Sequence, residues 1–133
     1  IHLIDESYNS NPSSLEFAIN KFNNLDSKLN KKIILLGGML ELGKYSKKLH
    51  IDVAKIVNKS DINEVYVYGK RIVDTFNKIR PQKKGRILYS KKDILNFFIN
   101  DIENGDYLMI KGSNSTGLNA ITKNLKLGRL SAL

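Results

Sequence analysis

The sequence of 133 residues contains no cysteine, no tryptophan and only two prolines. The absence of cysteine excludes a disulfide framework and any zinc site built from thiolates, and it fits a cytoplasmic location. No apolar run approaches the length of a membrane span, and the first residues lack the basic start and long apolar core of a signal peptide. Hydrophobic residues make up 41% of the chain and charged residues 26%, which is an ordinary composition for a globular domain.

The chain is long enough for one hydrophobic core, and we predict a single domain over residues 1–133. Because it starts directly in a predicted strand, we expect it to be a fragment of a longer protein. The formal net charge of +9 is one mark of a nucleic-acid partner. The lysines, however, are scattered at the edges of predicted elements without an arginine-rich stripe, so we predict no nucleic-acid partner. They occur as the pairs Lys31-Lys32, Lys47-Lys48, Lys83-Lys84 and Lys91-Lys92.

Short apolar segments alternate about five times with longer amphipathic segments. This alternation predicts an α/β fold, a Rossmann-like and mostly parallel sheet with helices on both faces. Isoleucine, leucine and valine occupy consecutive positions of the strand segments, so that both faces of these strands are apolar, as is typical of central parallel strands. The predicted strands are His2–Asp5, Lys32–Leu36, Glu64–Tyr68, Arg86–Tyr89 and Tyr107–Ile110.

Helix predictions rest on apolar residues at helical spacing and on capping residues. The first helix opens near Pro12, which suits the first helical position because it has no N–H to leave unpaired. Ser90 with Asp93 forms a capping box before the fourth helix. The remaining helices are predicted at Ser46–Asn58, around Ile72, Val73, Phe76 and Ile79, and at Leu118–Leu125.

The segment DYLMIKGSNSTG, Asp106–Gly117, predicts a buried strand that runs into a small polar loop. Loops at the carboxyl ends of parallel strands are where ligands bind in open α/β sheets. Backbone, hydroxyl, amide and ammonium donors in this loop suit a carboxylate or a phosphate. The alternative is an ordinary joint between a strand and a helix. The candidate binding residues are Lys111, Gly112, Ser113, Asn114 and Ser115.

The segment DESYNSNP, Asp5–Pro12, follows the first predicted strand and therefore reaches the same edge of the sheet. Asp5 or Glu6 can accept hydrogen bonds from ribose hydroxyls. Tyr8 can cover a base, and Asn9 and Asn11 can form hydrogen bonds with it. The alternative is that Asn11 only caps the following helix while the other residues form a turn.

The segment GMLELGKY, Gly38–Tyr45, matches the spacing G-x-x-x-x-G-K of a phosphate-binding loop. Tyr45 stands where that loop needs a small hydroxyl for Mg²⁺, so we favour a structured loop with Glu41 near the ligand edge. The alternative for Glu41 is a plain surface residue. His50 follows early in the second helix, and a lone histidine there is more often structural than catalytic, so no metal ligands or catalytic residues are assigned.

Three of these segments occur in one order that resembles the C-terminal domain of the Mur ligases. The resemblance rests on Tyr8–Pro12, the GGMLELG loop with Leu49-His50, and the KGSNS loop that begins at Lys111. The closest resemblance is to the Mur ligases that add D-alanyl-D-alanine, and it spans nearly the whole chain. Gly38 replaces the usual Asp and Asn114 replaces the usual Arg of these motifs.

The resemblance implies an ATP-dependent ligase that joins D-alanyl-D-alanine to a UDP-muramoyl tripeptide through an acyl phosphate, in peptidoglycan synthesis. It implies that the P-loop and Mg²⁺ ligands belong to a central domain and the UDP site to an N-terminal domain, neither of which is in this chain. It assigns Asp5, Tyr8, Asn9 and Asn11 to the nucleotide and the Lys111–Ser115 loop to the dipeptide carboxylate. The isolated chain is then expected to fold without ligase activity.

Three other functions remain open at this point. Another Mur-type ligase or a folylpolyglutamate synthase would differ in the substrate that the full-length protein accepts. A free-standing nucleotide-binding module would bind its ligand tightly without other domains. A nucleic-acid binder would show affinity that falls steeply with salt.

Overall fold

A computed structural model of the chain describes residues 2–6, 12–26, 30–38, 46–112 and 117–126. Five parallel strands form one sheet in the order β1-β5-β2-β3-β4. In β1, β2 and β3 the strands end at or close to the predicted residue, because glycine or a run of polar residues follows each of them. The strands are β1 (His2–Glu6), β2 (Lys32–Gly37), β3 (Glu64–Tyr68), β4 (Lys84–Leu88) and β5 (Tyr107–Lys111).

Within the described residues, five α-helices connect and follow these strands. They are α1 (Pro12–Asn23), α2 (Ser46–Asn58), α3 (Val73–Asn77), α4 (Lys91–Asn100) and α5 (Leu118–Lys126). The predicted bounds of α2 are confirmed, and so is the cap of α4, where the Ser90 hydroxyl accepts a hydrogen bond from the Asp93 amide at 3.2 Å. None of the helices in the described ranges is long and apolar enough to cross a membrane.

The helices cover both faces of the sheet, which confirms the predicted α/β architecture. One core cluster joins α1, α2 and α3 to the face that carries Ile34, Leu36, Val65 and Val67. The other joins α4 and α5 to the face that carries Ile33, Leu35, Leu108 and Ile110. Alternate residues of β2 therefore enter opposite clusters, which explains why that strand is apolar throughout.

Two predictions about element bounds were wrong. The fourth strand begins at Lys84 instead of Arg86 and ends at Leu88, so Tyr89 lies beyond it and is 67% exposed. Gly85, which lies outside the predicted strand, is part of β4, where its lack of a side chain makes room for the Tyr66 ring. The third predicted helix is split into a 3₁₀ turn, Lys70–Ile72, and the short α3, and Ile79 lies past its end.

Candidate functional site

The carboxyl ends of β1, β5 and β2 lie side by side at one edge of the sheet. The backbone register places Glu6 beside Lys111 and Lys111 beside Leu36. Neighbouring strands are about 4.8 Å apart, so the three loops that follow these strands start within about 10 Å of one another. The sequence motifs after these strands are thus brought to one place although they are distant in the chain.

The helices that follow β1, β5 and β2 do not all lie on one face of the sheet. Those that follow β1 and β2 pack on one face, whereas α5, which follows β5, packs on the other. Open α/β sheets bind ligands where the connections after neighbouring strands go to opposite faces, and β5 has such a neighbour on each side. The strand order puts Lys111 and Gly112 between the ends of β1 and β2.

The described part of the site consists of strand ends and the start of one helix. Lys111 ends β5 and is 3% exposed, and Gly112 beyond it is also buried. Asp5 lies in β1 opposite Ile110, and His50 lies in the first half of α2. A low-dielectric surrounding strengthens the attraction between a lysine ammonium and an anion, so this edge suits a carboxylate or phosphate.

Several predicted site residues fall outside the described residues. These lie in the loops after β1, β2 and β5, and they are Tyr8, Asn9, Asn11, Glu41, Ser113, Asn114 and Ser115. Their assignment to the nucleotide or the dipeptide stays a prediction. What the fold adds is the position of the strand ends to which they are attached.

A hydrogen-bonded turn at the opposite, amino edge of the sheet fixes the register of β5. Asp106 is 3% exposed, and its carboxylate accepts from the backbone amides of Lys31 at 3.2 Å and Glu103 at 2.9 Å. Its carbonyl accepts from the His2 amide at 2.8 Å, and Tyr107 donates to the Lys31 carbonyl at 2.8 Å. Because one buried carboxylate ties these segments together, the carboxyl ends of β1, β5 and β2 finish level with one another.

A charged cluster also lies toward the amino edge. The Tyr66 hydroxyl donates to one Glu64 carboxylate oxygen at 3.0 Å, and the Lys31 ammonium donates to the other at 3.0 Å. Burial, reinforced by the negative charge of Glu64, raises the pKa of Tyr66 well above its usual value. The hydrogen bond and charge of Glu64 raise the pKa of Lys31. This cluster stabilises the sheet at the end opposite to the candidate site.

Two concave surfaces formed by described residues lie away from the carboxyl edge. An apolar cavity of about 170 Å³ lies between α1 and the sheet, beside Ile4, Phe22 and Met109. A polar cavity of about 320 Å³ lies between the segments that lead into β3 and β4, beside Asp61, Arg80 and Lys83. Nowhere in the described ranges do three histidine, aspartate or glutamate side chains converge as metal ligands.

The turns after β3 and β4 reach the same carboxyl edge, although no motif in the sequence marks them as part of the site. Tyr68 ends β3, and Tyr89 follows β4. The signal was available, since every loop that follows a strand of a parallel sheet emerges at this edge.

Comparison with known proteins agrees with this geometry. The family model described as "Mur ligase, glutamate ligase domain" matches residues 1–114. Among curated proteins, the UDP-N-acetylmuramoyl-tripeptide–D-alanyl-D-alanine ligase of Bacillus subtilis is 29% identical over 130 residues, which cover 94% of this chain and 28% of that protein. The chain thus spans little more than a quarter of the length of this relative.

Solved structures of the same group share the fold. The MurF ligase from Thermotoga maritima in complex with ADP superposes with a TM-score of 0.70 at 21% identity, covering 91% of this chain and 27% of that one. The UDP-N-acetylmuramoylalanyl-D-glutamyl-2,6-diaminopimelate–D-alanyl-D-alanyl ligase from Acinetobacter baumannii gives a TM-score of 0.72 at 21% identity, covering 93% and 26%. With the family model matched over most of its length, the chain belongs to the Mur ligases, as a member of their glutamate ligase domain family.

Proposed function

We propose that the chain is the C-terminal domain of a cytoplasmic, ATP-dependent ligase that adds D-alanyl-D-alanine to a UDP-N-acetylmuramoyl-tripeptide in peptidoglycan synthesis. The Bacillus subtilis relative carries this activity in its name, and one structural neighbour is a complex with ADP. The short share of each relative that the chain covers supports a division of labour with an N-terminal and a central domain.

The observation that carries the proposal is the position of β5 between β1 and β2. It attaches the loop of the first motif, the GGMLELG loop and the KGSNS loop to three adjacent strand ends. A ligase needs its nucleotide and its incoming amine close together, and neighbouring loops provide that proximity.

We assign the loop after β1 to the nucleotide, through Asp5, Tyr8, Asn9 and Asn11. The loop after β5 holds the carboxylate of the incoming dipeptide, with Lys111 supplying the positive charge. Gly112 allows the backbone to approach the ligand, and Ser113, Asn114 and Ser115 supply donors. Glu41 and His50, from the part of the sequence that follows β2, are further candidate residues of this site.

We assign the P-loop and the Mg²⁺ ligands to the central domain. Closure of this domain over the central domain orients the dipeptide amine against the acyl phosphate and excludes water that would hydrolyse it. The chain's own contribution is therefore binding and positioning, and the isolated 133 residues should fold without turnover.

The test is ADP release by the full-length protein with UDP-muramoyl tripeptide, ATP and a panel of amines. D-alanyl-D-alanine should be preferred over single amino acids and glutamate. Lys111→Gln should raise the KM for D-alanyl-D-alanine about tenfold, as expected for loss of a partly desolvated charge contact of ~1.4 kcal/mol, and leave the KM for ATP nearly unchanged. Lys123→Gln, an exposed lysine of α5, is the control.

Two results would contradict the proposal. One is a preference of the full-length protein for a single amino acid or for glutamate, which would place it in another branch of these ligases. The other is turnover by the isolated chain, which would show that the missing domains are not needed.

A further inference from the structure

Two turns at the carboxyl edge have the same order of residue types. Tyr68 and Gly69 precede Lys70 after β3, and Tyr89 and Ser90 precede Lys91 and Lys92 after β4. The turns are neighbours, since Tyr68 pairs with Leu88 in the sheet and the Gly69 amide donates to the Leu88 carbonyl at 3.3 Å. We call the set Tyr68, Lys70, Tyr89, Lys91 and Lys92 the β3–β4 edge.

The chain also diverges between these two turns. The chain leaves β3 toward α3 on one face of the sheet and leaves β4 toward α4 on the other. Gly69 has a φ of 99°, and no heavy atom lies within 4 Å of where its Cβ would be. The space beside Gly69 in this turn is therefore open.

The lysines of the β3–β4 edge lack ion-pair partners among the described residues, and all three are exposed. The nearest carboxylate in sequence, that of Asp93, accepts from the Tyr89 amide at 2.8 Å, and the exposed Asp74 lies in the first turn of α3. Lys91 and Lys92 occupy the first turn of α4, where a cation opposes the helix dipole. A local arrangement that disfavours its own helix is the kind found at functional sites.

The tyrosines add contact surface beside the charges. Tyr89 is 67% exposed, and Tyr68 is half-buried against the core cluster of α4 and α5. A tyrosine ring offers an apolar face and a polar tip to a partner that is partly peptide-like. Aromatic rings beside exposed lysines therefore fit an extended ligand that carries several anionic groups.

We propose that the β3–β4 edge binds the carboxylates of the muramoyl tripeptide that are not activated in the reaction. This inference rests on the proposed function. The substrate named for the Acinetobacter baumannii ligase contains D-glutamyl and 2,6-diaminopimelate residues, each of which has a carboxyl group beyond those of the peptide chain. The ligand class is thus an acidic peptide.

The distances along the sheet edge fit such a peptide. Counting strands at about 4.8 Å each, the ends of β3 and β4 lie about 10 and 14 Å from the end of β5. An extended peptide spans up to about 3.5 Å per residue. With its terminal carboxyl group activated near β5, an extended tripeptide spans about 10 Å, so its glutamyl carboxylate stops short of the ends of β3 and β4. The long side chains of Lys70, Lys91 and Lys92 can bridge the remaining gap.

The test uses the full-length enzyme and steady-state kinetics for each substrate in turn. Lys70→Gln and the double variant Lys91→Gln/Lys92→Gln should each raise the KM for UDP-muramoyl tripeptide about three- to tenfold, since exposed charge contacts are individually modest. The KM values for ATP and D-alanyl-D-alanine should not change. Lys78→Gln, an exposed lysine at the other end of α3, is the matched control, and thermal melting checks that each variant is folded.

A substrate in which the free glutamyl carboxylate is converted to an amide makes the test specific. The wild-type enzyme should have a higher KM for this amidated substrate than for the natural one. The ratio of the KM values of at least one lysine variant and the wild type should then fall toward one. Unchanged KM values for the tripeptide, or an increase for D-alanyl-D-alanine instead, would overturn the inference while leaving the proposed function in place. Absence of turnover by the wild type would instead refute the proposed function.

Discussion

At the scale of single residues, Gly85 shows how a small residue in a strand makes room for a large neighbour. A Cβ on Gly85 would lie 2.5 Å from the Cε1 and Cζ atoms of the Tyr66 ring. That ring cannot move away freely, because it packs on Phe97 with ring centroids 4.3 Å apart and its hydroxyl donates a hydrogen bond to Glu64. We expect Gly85→Ala to lower the free energy of unfolding by ~1–3 kcal/mol, as for other overpacked core sites, measured by urea denaturation.

The double variant identifies the cause of that loss. In the background of Tyr66→Leu, which removes the ring, Gly85→Ala should cost much less, because the two residues are in contact and their effects do not add. Equal costs in both backgrounds would mean that the ring is not what Gly85 accommodates.

Tyr66 itself gives a prediction for the dependence of stability on pH. Its pKa is raised in the folded protein, chiefly by burial and then by the charge of Glu64. Above pH ~10 the unfolded chain loses the phenol proton while the folded protein retains it, so the stability that this residue contributes declines as pH rises. Compared with Tyr66→Phe, the wild type should lose about 1.4 kcal/mol per pH unit in that range.

The stabilities of the wild type and Tyr66→Phe are compared by urea denaturation from pH 8 to values above pH ~10. Because both proteins contain the same lysines, the effect of lysine titration cancels in the difference. At neutral pH the wild type should be the more stable protein by about 1 kcal/mol, owing to the hydrogen bond from Tyr66 to Glu64. A stability difference that stays constant with pH would contradict the raised pKa.

At the scale of elements, the start of α4 depends on a reciprocal pair of caps. The Ser90 hydroxyl accepts from the Asp93 amide at 3.2 Å, and the Asp93 carboxylate accepts from the Tyr89 amide at 2.8 Å. Ser90→Ala should lower the free energy of unfolding by ~1 kcal/mol, the usual cost of losing such a cap. Ser90→Asn, which retains a side-chain acceptor, should be close to the wild type. A loss as large for Asn as for Ala would point to another role for the hydroxyl.

The same elements show how far sequence reasoning reaches. The cap of α4 and the bounds of α2 and β3 follow from signals within a few residues, and they are confirmed. The start of β4 was missed because the reason for Gly85 lies on another strand, in the ring of Tyr66. The same limit holds for the site: sequence marks polar loops after β1, β2 and β5, but their adjacency depends on the insertion of β5 between β1 and β2.

At the scale of the whole molecule, the two edges of the sheet have different tasks. The amino edge is closed by internal bonds, including those of Asp106 to Lys31 and Glu103. The carboxyl edge gathers the strand ends that precede the motifs and the lysines of the β3–β4 edge, which have no ion-pair partner in the described part of the chain. Substrate binding should therefore protect the carboxyl end of β5 more than its amino end.

Hydrogen exchange on the full-length protein measures this difference. Addition of a non-hydrolysable ATP analogue and UDP-muramoyl tripeptide should slow exchange in a peptide that covers Lys111 and Gly112, because closure of the domains covers the carboxyl edge. A peptide that covers Glu103 and Asp106, at the amino end of the same strand, should change little. Ligands also slow exchange throughout a protein when they only stabilise its folded state. Equal slowing at both ends of β5 would indicate such a general stabilisation. Slowing confined to the carboxyl end is the result that the proposed domain closure predicts, and it would support the proposal that the chemistry takes place at this edge.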